Sequence, residues 1–226
     1  MEDTKKIFAK IDSYKDFVVD VQTKMRACPA VSPHAGGDGE TAKAEYLLAL
    51  LKTMKFDEVF VINAKDPKSK TGVRPNIVAK YYGQNKQKTL WVMAHMDIVP
   101  PGDLKLWKTD PFKAVVKGDK IYGRGSEDNQ QGLVSGLLTV KAFMDLGIRP
   151  PVNYALLLNA DEEIGSIYGI VDILKHHGKT FSKEDSFLVP DGGNPKGTMV
   201  EIAEKNMLWV KFTVQGKQTH ASMPKA

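Results

Sequence analysis

The chain has 226 residues, 42% of them hydrophobic and 26% charged, with a net charge of +5. That usage excludes a fibrous or disordered chain. One cysteine, Cys28, excludes a disulfide framework and a thiolate-based structural zinc site, and no apolar run reaches the ~20 residues of a membrane helix. The length suits one full α/β domain or two small ones.

The N-terminal MEDTKKIF is charged and amphipathic, without a signal-peptide core, so the expected location is the cytoplasm. Residues 4–26 place Ile7, Ile11, Tyr14, Phe17, Val18, Val21 and Met25 at helical spacing, which predicts one helix. CPAVSPHAGGDGE reads as a loop, and residues 40–55 as a second helix burying Ala44, Leu47, Leu48 and Leu51. DEVFVIN, NIVAKYY and TLWVMAH predict strands, and AVVK with GDKIYGRG a hairpin. Residues 128–146 are helical again. NYALLLNA is apolar enough for a buried parallel strand, 166–177 reads as a short helix, and DSFLVP as another buried strand. TMVEIAEK and MLWVKFTVQGK predict two closing strands. Helices alternating with apolar strands give an α/β class: a central, mostly parallel or mixed sheet flanked by helices.

The basic excess lies largely in Lys65, Lys68, Lys70, Arg74, Lys80, Lys86 and Lys88, against Asp66. No aromatic residues interleave with it as in a nucleic-acid motif. It reads as solvated surface, and no nucleic-acid partner is expected.

Ligands bind at the carboxyl ends of strands in such sheets. TLWVMAH runs into His95-Met96-Asp97, NYALLLNA into Asp161-Glu162-Glu163, and SFLVP into Asp191. Asp128 follows GRGSE and opens a helix, where its ordinary role would be an N-cap. Each motif alone is ordinarily a loop or surface feature. Together, on one sheet edge, an imidazole and several carboxylates with no accompanying Lys or Arg would repel unless a divalent cation compensates. Imidazole plus carboxylate without thiolate fits zinc, manganese or cobalt rather than calcium or magnesium. Asp97 stands where it can accept from the second ring nitrogen of His95. Glu162 and Glu163, adjacent after a strand, are expected to point different ways, one to metal and one to substrate. The number of ligands favours two metals sharing a carboxylate.

In order and interval, HMD, GRGSED, DEEIGS, LVPDGG and GKQTHASMP resemble the co-catalytic zinc exopeptidases and amidases, the family of aminoacylase, carboxypeptidase G, succinyl-diaminopimelate desuccinylase, peptidase T and the dipeptidase PepV. The resemblance runs from about residue 10 to the last. It implies two divalent ions, zinc foremost. His95 and Asp191 hold one, Glu163 the other, and Asp128 bridges them across a cis peptide to Asn129. It implies Glu162 as general base, Asp97 orienting His95, and His220 donating to substrate from a lid domain, often that of a partner subunit in a homodimer. The implied substrate is a small peptide or an N-acyl amino acid. The family commonly carries D-M-K-G or D-D-K-G where this chain has Asp128-Asn129-Gln130-Gln131-Gly132, so a usual lysine is absent. Asp191 is similar to the peptidase T and PepV form of its motif.

Rival readings are weaker. Ser126 is not in G-x-S-x-G after a strand, and Gly37-Asp38-Gly39-Glu40-Thr41-Ala42 follows no strand as a dinucleotide fingerprint would. His176 and His177 are read as surface residues with no acid partner in register. A non-catalytic metal-binding relative, acting as an interaction module, would typically lack Glu162. The domain expectation is a catalytic domain over residues 1–205 and the first strand of an interrupted lid or dimerisation domain over 206–226. Ser222 is read there as capping a helix with Pro224 in its first turn. The resemblance implies a further metal-binding histidine that this chain does not contain, so the chain alone is expected to be an incomplete enzyme.

Overall fold

The computed structural model describes residues 2–203, 208, 210–217 and 220–222. Residues Met1–Gly192 form one compact unit and Gly193–Ala226 a second.

The first unit begins with α1 (Glu2–Asp12) and α2 (Lys15–Arg26). The single helix expected over 4–26 is therefore broken. The Ser13 hydroxyl donates to the Lys10 carbonyl (2.6 Å), taking an acceptor the helix ladder would use. α1 buries no side chain, whereas α2 buries Val21 and Met25. Next come α3 (Thr41–Lys52), β1 (Glu58–Lys65), β2 (Val73–Tyr81) and β3 (Asn85–His95), then the predicted hairpin, β4 (Val115–Lys117) with β5 (Lys120–Tyr122). The unit continues with α4 (Gln130–Asp145), β6 (Val152–Asn159), α5 (Ile170–His177) and β7 (Ser186–Leu188).

The main sheet has the order β1-β2-β6-β3-β7. β3 pairs in parallel with both β6 and β7, whereas β2 is antiparallel to both β1 and β6. Four of the five strands thus share one direction and β2 alone opposes them, the mixed, mostly parallel sheet that the sequence predicts. Side chains alternate faces along a strand. In β6, Tyr154, Leu156 and Leu158 pack with Leu47, Met25, Leu133 and Leu137 from α3, α2 and α4, while Ala155 and Leu157 pack with Trp91 and Ile173 on the other face. The sheet is therefore a middle layer, which is why NYALLLNA is apolar throughout.

β7 departs from expectation. It is an edge strand, and Phe187, Leu188 and Val189 are exposed rather than buried. The second unit departs further. Residues 198–203, 208 and 210–217 form no strand, and Leu208, Val210, Phe212 and Val214 are exposed. Among the described residues nothing pairs with them, and an unpaired segment cannot satisfy its ladder groups as a strand. The parts of both expected strands at residues 204–207 and 209, and the expected helix start at Pro224, lie outside the described residues. No helix of the described residues is long and apolar enough to cross a membrane.

Topology sets the position of the site. β3 and β6 run in parallel with His95 level with Asn159, so both strands deliver their following residues to one edge. Because β2 runs the other way, its beginning, Arg74 to Asn76, lies at that same edge.

Candidate metal centre

His95 ends β3 and is 2% exposed. Its Nε2 lies 2.8 Å from Asp128 Oδ1, 3.7 Å from Asp191 Oδ2 and 3.8 Å from Glu162 Oε2. Two sets of side chains offer mutually close ligand atoms: His95, Glu162 and Asp191, and His95, Asp128 and Glu163. The other ring nitrogen, Nδ1, lies 3.0 Å from the Asp97 carbonyl oxygen and 3.4 Å from Asp97 Oδ1. A carbonyl oxygen can only accept, so Nδ1 carries a proton, and in the neutral ring the Nε2 lone pair then faces the carboxylates. A lone pair 2.8 Å from a carboxylate oxygen is repulsive unless a proton or a metal cation shares the space. Burial pushes the imidazolium down, but the Asp97 hydrogen bond and the charges of Asp97, Asp191 and Glu162 outweigh it, raising His95 to about 9. Burial, then the Asp128 charge, pushes Glu163 up to about 7. Burial also raises Glu162, with His95 opposing and Asp191 adding to the rise. Among the described residues no lysine or arginine pairs with Asp128, Glu162, Glu163 or Asp191. Imidazole and carboxylate oxygens that crowd one another without a cation are a donor set that fits a divalent transition metal.

Three local structures deliver these groups. Asp128 leads into α4 through a cis peptide to Asn129, the isomer that the resemblance implies. The preceding loop is gripped by Arg26. Its Nη1 donates to the Arg124 carbonyl (2.5 Å), and its Nη2 donates to Ser126 Oγ (2.7 Å) and Gln130 Oε1 (3.1 Å). The His95–Asp97 turn is held from below by Lys43. Its Nζ donates to the Met96 carbonyl (2.6 Å), and burial pushes its ammonium down to about 8.

The third is the turn after β6. Asp161 adopts the left-handed region (φ 68°) and starts a 3-10 turn over Glu162–Ile164. Four successive backbone N–H groups donate to side chains from three other segments. Ala160 donates to Asn76 Oδ1 (2.9 Å), Asp161 to Glu40 Oε1 (3.3 Å), Glu162 to Asp97 Oδ1 (3.1 Å) and Glu163 to Asp97 Oδ2 (3.1 Å). The turn brings both glutamates near His95, but in different sets of ligand atoms, Glu162 with Asp191 and Glu163 with Asp128. Glu163 Oε1 also accepts from the Val99 N–H (3.1 Å).

Other expectations also need correction. Asp161 does have a cation partner: Arg74 Nη2 lies 3.2 Å from its Oδ1. Arg74, read as part of a solvated basic run, is fully buried. His176 has an acid in register, Asp172 Oδ1 at 3.8 Å. His220 lies in the second unit, exposed, with Nδ1 2.8 Å from Ser222 Oγ. Sequence reasoning missed Glu40, Lys43, Asn76 and Arg74. For Arg74 and Asn76 the usable signal was topological, since polar residues at the start of an antiparallel strand lie at the ligand edge.

The sequence pattern described as peptidase family M20/M25/M40 matches residues 91–222, a span that contains every member of the cluster. The chain belongs to this family. Over 220 residues it is 43% identical to an uncharacterized metallohydrolase of Methanococcus maripaludis, covering 94% of this chain and 52% of the relative. Over 210 residues it is 30% identical to a succinyl-diaminopimelate desuccinylase of Afipia carboxidovorans, covering 91% and 52%. The fold is similar to that of the di-peptidase Dug1p of Saccharomyces cerevisiae, with a TM-score of 0.69 at 26% identity, over 83% of this chain and 40% of that one. The chain thus spans about half the length of the curated relatives it matches.

Proposed function

We propose that this M20 family chain carries the metal centre of a hydrolase that cleaves an amide or peptide bond in a small substrate, a di- or tripeptide or an N-acyl amino acid. The observation that carries the reading is the convergence of His95 Nε2 with carboxylates that, among the described residues, no lysine or arginine pairs with. Similarity to a di-peptidase and to a desuccinylase supports both substrate classes.

In this reading His95 and Asp191 would hold one divalent ion and Glu163 a second, with Asp128 as the carboxylate they would share. Zinc is the first choice, with cobalt or manganese as alternatives. When bound, the ions supply the positive field that acidifies a water and polarises the scissile carbonyl. Asp97 and its carbonyl fix the His95 ring. Glu163, anchored by the Val99 N–H, suits a ligand that must not move. Among the described residues Glu162 has no such anchor, and it suits the base, taking a proton from water and passing it to the leaving nitrogen. His220 is assigned to substrate contact by the resemblance alone.

The test uses the full-length protein and a panel of dipeptides and N-acyl amino acids. Glu162→Gln should keep its metal while kcat falls by roughly 10²-fold or more, the scale of losing a general base. Asp128→Ala should lose metal. Near-normal turnover in Glu162→Gln would remove it as the base. A wild type that binds metal but hydrolyses nothing on the panel would favour a binding module.

A further inference from the structure

The Glu162–Glu163 turn is closed by the Gly165 and Ser166 N–H groups, which donate to the Glu162 and Asp161 carbonyls, and is tied to the rest of the fold by acceptors on other segments. Its backbone donors at residues 160–163 reach side chains that are themselves buried, Asn76, Glu40 and Asp97. Of the acceptors, Glu40 is the one that a buried arginine holds. It precedes α3 and is fully buried. Its two oxygens are taken by Arg74: Nε donates to Oε2 (2.5 Å), and Nη2 donates to Oε1, the oxygen that also accepts the Asp161 N–H. The same Nη2 lies 3.2 Å from Asp161 Oδ1, and Asp161 Oδ2 accepts the Tyr168 N–H (3.1 Å). The fork is completed by Nη1, which donates to Asp66 Oδ2 and to Ser32 Oγ, each at 3.3 Å. Arg74 therefore ties β2, the loop before α3, the segment after β1 and the turn after β6 into one rigid node. A planar five-donor fork can do this, and a lysine, with one point of charge, cannot.

We infer that Arg74 and Glu40 are positioning residues: their buried bidentate pair fixes the Asp161 backbone and thereby sets where Glu162 and Glu163 present their carboxylates. The inference rests on the hydrolase reading for its catalytic consequence, though not for the clamp itself. Asp161 lies in the left-handed region, which a non-glycine residue keeps only when its surroundings hold it. A small relaxation there moves both glutamates together, and misplacement of about 1 Å costs on the order of 10²-fold in rate.

The experiment compares full-length wild type, Arg74→Lys and the double variant Glu40→Gln/Arg74→Met. It reads amide hydrogen exchange at residues 160–163, the visible absorption of the cobalt(II)-loaded protein, and kcat and KM separately. For Arg74→Lys, exchange at Asp161, Glu162 and Glu163 should speed by roughly tenfold or more while the centres of β3 and β6 stay protected. The cobalt spectrum should shift, and kcat should fall by roughly tenfold or more with KM little changed. The double variant covers the case in which Arg74→Lys does not fold: Glu40 loses its charge together with its partner, Asp66 keeps His34 Nε2 at 3.6 Å, and Asp161 keeps the Tyr168 N–H. It should show the same local exchange and spectral change. Wild-type exchange and spectrum in either folded variant would overturn the inference. So would failure of both variants to fold, because the pair would then serve the whole sheet rather than the turn. A wild type that hydrolyses nothing refutes the hydrolase reading only, and the exchange comparison still decides the clamp.

Discussion

Asp97 shows how one carboxylate can serve two neighbours. Its carbonyl and Oδ1 face His95 Nδ1, while Oδ1 and Oδ2 accept the N–H groups of Glu162 and Glu163. In Asp97→Asn one of those oxygens becomes an NH₂ that points at a donor, leaving a buried N–H unpaired at a cost of about 1–3 kcal/mol. Groups that orient a ligand histidine typically matter 10- to 100-fold in metal affinity. Cobalt(II) titration of Asp97→Asn should therefore weaken by about that factor, alongside a lower denaturation midpoint. An unchanged titration would mean that Asp97 only staples the turn. The sequence made half of this role legible: Asp97 stands two residues from His95. Its grip on the glutamate turn was not legible, because it joins residues 65 and 66 positions apart. Arg74 was hidden for a related reason. It sits among lysines that resemble a solvated run, and only the reversed direction of β2 carries it to the ligand edge.

At the scale of elements, strands that end in acids were readable because β3 and β6 are apolar up to their last residues, and their faces alternate as burial requires. The break between α1 and α2 and the exposure of β7 were not, since both depend on what packs nearby. β7 is held less by burial than by Asp185, just before it. That carboxylate accepts the Thr89 N–H, Trp91 Nε1–H and Ser182 N–H, each at 2.9 Å, and so ties the edge strand to β3. Burial pushes its carboxyl up, but these hydrogen bonds outweigh burial and hold it below the usual carboxylate range. The folded pKa is therefore below the unfolded value of about 3.9. The stability it contributes is full above that value and is lost as pH falls through the folded pKa. Asp185→Asn should melt at a lower temperature than wild type at pH 7, with the same difference down to about pH 5, and the two curves should converge below about pH 4. A gap that persists unchanged into strong acid would show that the charge of Asp185 is not what holds β7.

Across the first unit, charge is sorted by depth. Arg26, Lys43 and Arg74 are buried, as are Glu40, Asp66, Asp97 and Asp161. These cations bind carbonyls or the buried acids, and none of them pairs with Asp128, Glu162, Glu163 or Asp191 around His95. The fold thus balances its lower layer internally and leaves the ligand edge anionic. Burial, and after it repulsion from neighbouring carboxylates, raises Glu162 and Glu163, and a bound cation would oppose that rise. Because the native edge gathers these donors and an unfolded chain does not, metal should stabilise the fold by mass action, about 2.7 kcal/mol at a free concentration 100 times the dissociation constant. Thermal melts of protein stripped by chelator should therefore rise on adding zinc, cobalt or manganese. Magnesium should raise them much less, since imidazole is a poor partner for a hard cation. Asp128→Ala, which removes a carboxylate common to both proposed metal positions, should lose most of that rise. Melting curves that ignore both chelator and added metal would show that the His95 cluster holds a proton rather than an ion.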